Sequence, residues 1–437
     1  MEDIFVQKIH INKVRHLENI DIEIDSSERK HLILTGKNGS GKTSVLEGVR
    51  DFLKAVENSN LRHFSAWYQN IKKIESSIEP LRIKLSVLSR KNSMEYKSIE
   101  NQVRDLTQDI ITYQNTINQY KGKTDLEIKN VLEIVGNYQI GNFILAFFEA
   151  KRGSKANSFQ DNNQQKGFFK EPKGIERVEF KEKYAIEEPV NINFIQHLVN
   201  LKADRSFAKD ENDQDTVNAV DSWFERFEKN LKGYIFHDEN LKLDFDRKNY
   251  TFNLSLSNRE KVTLNELSDG YASILYIVSE LMMRMENKQA KNYDIQGIVL
   301  IDEIETHLHI DLQKKILPFL TTFFPKIQFI VTTHSPFVLN SISNAVIYDL
   351  EKKMRVENLS AYAIDGIVEG YFESDKYSAE IKEKVNRYEN LLALNNPNSS
   401  EKEEILSLRK MLKGVSPQLA PELVGKFLDL ELSRIGK

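Results

Sequence analysis

Residues 36–44 read GKNGSGKTS. They follow the apolar run HLILT and precede Val45, Leu46, Val49, Phe52 and Leu53, whose spacing predicts one face of a helix. Gly36, Lys37, Asn38, Gly39, Ser40, Gly41, Lys42 and Thr43 fit G-x-x-x-x-G-K-[ST], and the strand before and helix after that this pattern requires are both present. The chemistry is phosphate binding. Glycines let the backbone wrap so that its N–H groups face phosphate oxygens, and the helix N-terminus adds a favourable dipole. Lys42 can reach the β and γ phosphates, Thr43 can offer a hydroxyl to Mg²⁺, and Ser44 completes the loop. The competing reading, a chance glycine turn ahead of a helix, is disfavoured by the matched context.

Three later stretches narrow the reaction class. GIVLIDE ends an apolar strand in Asp302 and Glu303. The first carboxylate can hold a Mg²⁺ shell and the second can polarise an attacking water, although paired acids can also merely cap the next helix. LSDGYAS puts Ser268, Asp269 and Gly270 at a helix start, where a hydroxyl and backbone donors can meet an anion. Alone that is weak, since S-D-G is also a common turn. IQFIVTT ends in Thr333, His334, Ser335 and Pro336, which places an imidazole at the carboxyl end of a parallel strand, where open α/β sheets bind ligands. Thirty-two residues separate Gly270 from Asp302 and thirty-one separate Glu303 from His334, each gap sized for one helix plus one strand. The four pieces are therefore expected on one sheet edge.

With all four motifs in this order, the chain resembles the ABC-type ATPases, in the branch containing RecF, the SMC proteins and the OLD-family defence ATPases. The resemblance covers residues 1 to about 350. It implies that GKNGSGKTS is the Walker A loop, LSDGY the signature, VLIDE the Walker B strand with catalytic Glu303, ETHLH the D-loop region and TTHSP the switch carrying His334. Implied with it are ATP and Mg²⁺ as cofactors, Thr43 and Asp302 as metal ligands, and Lys42, Glu303 and His334 as catalytic residues. A head-to-tail ATP-sandwich homodimer or higher homo-oligomer is also implied, with Ser268, Asp269 and Gly270 facing the partner's nucleotide. Asp269 replaces the glycine usual in transporter signatures, as in the RecF and OLD branch. The Q-loop glutamine is unplaced, with Gln196 one candidate, and Arg152 in FFEAKRG reads as a nucleotide-proximal cation.

The elements that must position these residues follow from periodicity. FVQKIHI and IDIEI predict two short strands, and helices over 271–287, 311–323 and 336–342 alternating with GIVLID and IQFIVTT predict parallel strands with crossover helices. The expected fold is α/β: a P-loop head of mainly parallel sheet plus an antiparallel β lobe, over 1–65 and 122–350. Over 66–121, Ile99, Val103, Leu106, Ile110, Tyr113, Ile117 and Tyr120 repeat every three or four residues, and Ile78, Leu81, Leu85 and Leu88 precede the SRKNS break. This predicts a helical-hairpin insertion, either a short coiled coil or an amphipathic pair on the surface. Residues 151–189 read as a long, weakly ordered loop, LKLDFD and YTFNLSL over 241–256 as a hairpin, and 351–437 as a C-terminal helical region.

The 437 residues carry 61 basic and 65 acidic side chains for a net charge of −4, so bulk charge does not indicate nucleic acid, which stays possible only through a local surface. The absence of cysteine excludes disulfides and thiolate chemistry. No apolar run approaches a membrane span, and the acidic start MEDIFVQK is unlike a signal peptide, so a cytoplasmic location is expected. The acidic stretch IVEGYFESD, with Glu369, Gly370 and Asp375, lacks the D-x-D and strands of an appended TOPRIM nuclease. The chain thus resembles standalone ATPase subunits of prokaryotic anti-phage systems such as Septu and PARIS, which implies a separate nuclease or toxin effector. The alternative reading is a RecF-like DNA-repair clamp, against which stand the dispersed basic residues, with only Lys151, Arg152 and Lys155 clustered.

Overall fold

Alternation dictates the first sheet. The apolar alternation holds at Ile9 and Ile11 in Val6–Val14 and at Ile20 and Ile22 in Leu17–Glu23, and the two strands pair antiparallel, Ile9 opposite Ile22 and Ile11 opposite Ile20, with Thr124–Ile128 on the free edge of Val6–Val14. The computed structural model describes residues 2–58, 64–88, 93–120, 122–152, 169–257, 261–286, 294–356, 359–372, 377–394, 396–416 and 420–435. It divides into two compact units, Met1–Ala361 and Tyr362–Lys437.

In the first unit, continuously apolar strands form a second sheet buried on both faces. Among the described residues its order is Met354–Val356, Ala345–Asp349, His31–Thr35, Ile327–Thr332, Gln296–Ile301 and Phe143–Phe148, all parallel except the antiparallel edge strand Met354–Val356. The helix Lys42–Glu57 lies between the two sheets. It buries Val45, Leu46, Val49, Phe52 and Leu53 in one core with Ile9, Ile22, Leu32, Leu34, Leu300 and Ile330. The P-loop head of parallel sheet plus antiparallel lobe is thus as the sequence predicts. The parallel sheet runs past residue 350, because Met354–Val356 completes it, and the first unit closes at Ala361.

The predicted helix over 311–323 is interrupted. Ile310–Gln313 and Ile316–Phe323 are separate segments, and Pro318 supplies the reason: it has no N–H for the carbonyl of residue 314 and its ring crowds that carbonyl. Phe64–Val87 and Met94–Tyr120 form an antiparallel helix pair. Ile71, Ile78, Ile99 and Ile117 are buried, and the seam residues Val103, Leu106, Ile110 and Tyr113 between the last two are partly buried. The alternating hairpin is Lys242–Asp246 with Thr251–Ser255, and Phe252 from it stacks on Phe224 in a layer of aromatic side chains with Phe194, Trp223 and Phe227. Of the loop read at 151–189, residues 153–168 lie outside the described residues, and 169–190 contain neither helix nor strand.

The second unit is built from Ala379–Leu392, Ser399–Lys413 and Pro421–Ile435 around Val385, Tyr388, Leu412 and Phe427. Asn398 and Glu401 form a capping box that starts the middle helix. Glu369 and Gly370 sit in the helical turn Ile367–Tyr371, and Asp375 lies outside the described residues. Among the described residues, no helix is long and apolar enough to cross a membrane.

Candidate nucleotide site

Parallel strands deliver their carboxyl ends to one edge, and the chemistry-bearing residues follow directly: Gly36 after Thr35, Asp302 after Ile301, Thr333 after Thr332 and Glu149 after Phe148. The loop 36–44 wraps because Gly36, Gly39 and Gly41 all take positive φ, at 132°, 85° and 97°. At Gly36 a Cβ would also lie 2.9 Å from Ser40 Oγ and 3.1 Å from the Glu351 nitrogen, so the tight wrap admits glycine alone. The helix Lys42–Glu57 starts with no side-chain cap, which leaves first-turn N–H groups for an anion. Among the described residues the buried Ser40 hydroxyl finds no hydrogen-bond partner, an orphaned polar atom that a phosphate oxygen would satisfy.

Lys42 is buried and donates to the carbonyls of Gly36 at 2.8 Å and Lys37 at 3.1 Å, so its ammonium is held across the loop. Burial lowers its pKa, and the nearby carboxylates of Glu303, Glu305, Asp302 and Asp349 oppose that shift. Thr43 donates to Asp302 Oδ1 at 3.2 Å, and Thr332 Oγ1 donates to the same oxygen at 2.6 Å. The Thr43 hydroxyl and the Asp302 carboxylate are hard oxygen donors that fit a Mg²⁺ completing its shell with water and phosphate oxygens.

Glu303 stands on an unusual backbone. Its φ is 45°, in the left-handed region that a non-glycine residue enters at a cost. Its N–H donates to Thr332 Oγ1 at 2.7 Å, and Thr306 Oγ1 donates to its Oε2 at 3.2 Å. Two residues on, Glu305 braces the neighbouring loop: Oε1 accepts from the His334 N–H at 2.6 Å and Oε2 from Thr333 Oγ1 at 2.8 Å. Ser335 caps the short helix Pro336–Leu339 and donates to Gln313 Oε1 at 2.6 Å. The half-buried His334 imidazole has its pKa lowered, first by burial and then by Lys42, and is neutral at pH 7.

Arg152 does not reach toward nucleotide, contrary to its sequence reading. It is 3% exposed, and its guanidinium is spent on backbone: Nη1 donates to Asp302 O at 2.9 Å, and Nη2 to Ile304 O at 2.9 Å and Glu303 O at 3.2 Å. Nε donates to Ser273 Oγ at 3.1 Å. Burial pushes its pKa down to about 10, so it stays charged at neutral pH. Gln196, the Q-loop candidate, binds the backbone of 173–176 through both ends of its amide.

Lys42, Thr43, Asp302, Glu303 and His334 are therefore brought together, and Ser268 to Gly270 are not. Ser268 begins the helix Asp269–Met285 without a side-chain capping bond; it and Asp269 are exposed. Among the described residues no hydrogen bond joins 268–270 to 36–44. A Cβ at Gly270 would meet the His307 carbonyl at 3.0 Å, so this helix start is pressed against the segment after Glu303. His307 and His309 join no cluster of three or more metal-binding side chains among the described residues. Sequence reasoning gave no individual role to Thr332, Glu305 or Ser273. The signal available was position: each falls inside a motif, TTHSP, ETHLH and LSDGYAS in turn.

Residues 5–339 match the family model described as AAA ATPase domain. The Septu protein PtuA of Bacillus mycoides (strain KBAB4) is 25% identical over 421 residues, covering 93% of this chain and 50% of that one. The chain thus spans about half the length of that relative. A retron Vc95 probable ATPase of Vibrio cholerae is 24% identical over 366 residues, covering 74% of this chain and 69% of that one. A solved Smc head bound to the C-winged helix domain of ScpA overlays with a TM-score of 0.36 at 11% identity, covering 79% of this chain and 94% of that one.

Proposed function

The chain belongs to the AAA ATPase domain family, and on that premise we propose that it binds ATP at 36–44 and hydrolyses it, using closure of two heads around nucleotide as a switch. In this reading Lys42 and the loop N–H groups bind the triphosphate, and Thr43 and Asp302 hold Mg²⁺. The bound cation would neutralise charge on the β and γ phosphates. Glu303 orients and deprotonates water, and His334, neutral at pH 7, can donate a hydrogen bond to the γ-phosphate. The single observation that carries the reading is the convergence of Lys42, Asp302, Glu303 and His334 on one sheet edge, with Glu303 held in left-handed backbone beyond a buried Asp302.

The exposed Ser268, directed by an uncapped helix start, supports a head-to-tail homodimer in which each signature meets its partner's nucleotide. The Septu and retron relatives support placing the switch in a prokaryotic anti-phage system as the sensor or scaffold subunit, with a separate protein as nuclease or toxin effector. Glu303→Gln tests the chemistry. It keeps hydrogen bonding but loses the base, so turnover should fall by about 10²- to 10⁴-fold while ATP binding persists and an ATP-bound dimer accumulates in light scattering. Hydrolysis at the wild-type rate by that variant overturns the assignment.

A further inference from the structure

The left-handed turn at Glu303 raises the question of what holds it. Positive φ at a non-glycine residue costs roughly 1 kcal/mol or more and persists only when the surroundings over-determine it. Here the carbonyls of three successive residues, Asp302, Glu303 and Ile304, all accept from one guanidinium, that of Arg152. The bonds to Arg152 fall on Glu303 and the two residues flanking it, so the guanidinium holds the backbone on both sides of the inverted φ.

The remaining guanidinium edge points elsewhere. Nε donates to Ser273 Oγ, and Ser273 is 2% exposed in the helix Asp269–Met285, five residues beyond Ser268. One buried planar cation therefore touches the backbone that aims Glu303 and the helix whose exposed start carries the signature. A planar fork with fixed donor directions transmits a shift at one edge to the other, which a point-charge ammonium on a flexible stem does not.

We propose that Arg152 is a positioning residue that ties the aim of Glu303 to the helix Asp269–Met285, so that engagement of Ser268 by a partner head adjusts the water-activating carboxylate of its own subunit. This rests on the ATPase reading above. It adds a direction of control: a contact made at the exposed helix start is felt five residues later at Ser273, then at Arg152, and then at the turn of Glu303. Displacement of a reacting group by about 1 Å can cost on the order of 100-fold in rate, so a small rotation of the helix suffices.

The test uses the full chain and three proteins: wild type, Ser273→Ala and Arg152→Lys. Ser273→Ala cuts only the tie to the helix and leaves the three carbonyls bonded. It should keep wild-type KM for ATP, lower kcat by about tenfold, and flatten the rise of specific activity with protein concentration. Arg152→Lys keeps the charge but loses the fork; it should lower kcat by roughly 100-fold, again at unchanged KM. A merely structural role would move melting temperature and KM together with kcat. Wild-type hydrolysis that rises with protein concentration, joined with a Ser273→Ala profile equal to wild type, overturns the tie and leaves the ATPase reading standing. If the wild type fails to hydrolyse ATP, both fall. Should Arg152→Lys not fold, Ser273→Ala alone decides.

Discussion

The edge carrying Lys42, Asp302 and Glu303 and the edge carrying Ser268 are built on opposite terms. On the first, the charged groups are committed while the Ser40 hydroxyl and the uncapped helix start stay open for phosphate: Thr332 bridges Asp302 and Glu303, Glu305 ties the loop of His334, and Lys42 spans its own loop. On the second, Ser268 and Asp269 face outward, with no capping bond to hold the serine. A buried polar network is costly unless fully paired, and once paired it fixes geometry. An exposed, uncapped helix start keeps its donors available for something that arrives. The difference teaches that one half of the proposed chemistry is assembled within a chain, and that the signature stands exposed, as the proposed head-to-tail dimer requires.

The largest effect is expected at the open edge. Ser268→Arg places a long charged side chain where the partner's nucleotide would sit, and ATP-dependent self-association should be abolished in analytical ultracentrifugation. Stability should change by less than about 0.5 kcal/mol, because the position is exposed. A Ser268→Arg protein that still dimerises with ATP would break the comparison, since the open edge would then have no partner to serve.

At the closed edge, Thr332→Val keeps shape and removes one hydroxyl that both donates to Asp302 and accepts from Glu303. The Glu303 N–H is left unpaired, at a cost of about 1–3 kcal/mol. The unfolding midpoint should drop accordingly, and turnover should fall about tenfold as the strained turn loosens. If stability and turnover both stay at wild-type values, the closed edge is not held by its polar pairs.

Much of this was legible in the sequence, and the limits have physical causes. The loop 36–44 is local: glycine spacing, a preceding strand and a following helix lie within one stretch of chain, so types and positions suffice. The parallel sheet was legible because strands buried on both faces read as unbroken apolar runs such as HLILT and GIVLI. Arg152 was misread because a cation in a glycine-containing loop after a strand looks the same whether it serves phosphate or carbonyls. Only the pairing of Phe143–Phe148 with Gln296–Ile301 brings it beneath Asp302. The helix expected over 311–323 kept its apolar period across Pro318, which the periodic pattern does not register. Thr332 and Glu305, though inside TTHSP and ETHLH, drew no role of their own because threonine at a strand end and glutamate before a helix are common, and their roles depend on contacts across about thirty residues.

The smallest effect on turnover, one confined to stability, probes how far the closed region extends from its chemistry. His31 begins the strand that ends at the loop, and it is buried, with Nδ1 accepting from the Phe329 N–H at 3.1 Å. Burial, aided by the charge of Arg29, pushes its pKa from 6.5 down to about 4. A depressed folded pKa means that the fold holds the neutral imidazole. The stabilisation is therefore complete above pH 6.5 and is lost as pH falls from 6.5 to about 4, in total about 3 kcal/mol. His31→Asn retains an uncharged acceptor for Phe329, so urea unfolding of this variant should lose less stability between pH 7 and pH 4.5 than wild type does, by up to about 3 kcal/mol. Equal losses in the two proteins would mean that the strand's amino end admits a charged ring, and that the tightly paired character of the closed edge does not extend to it.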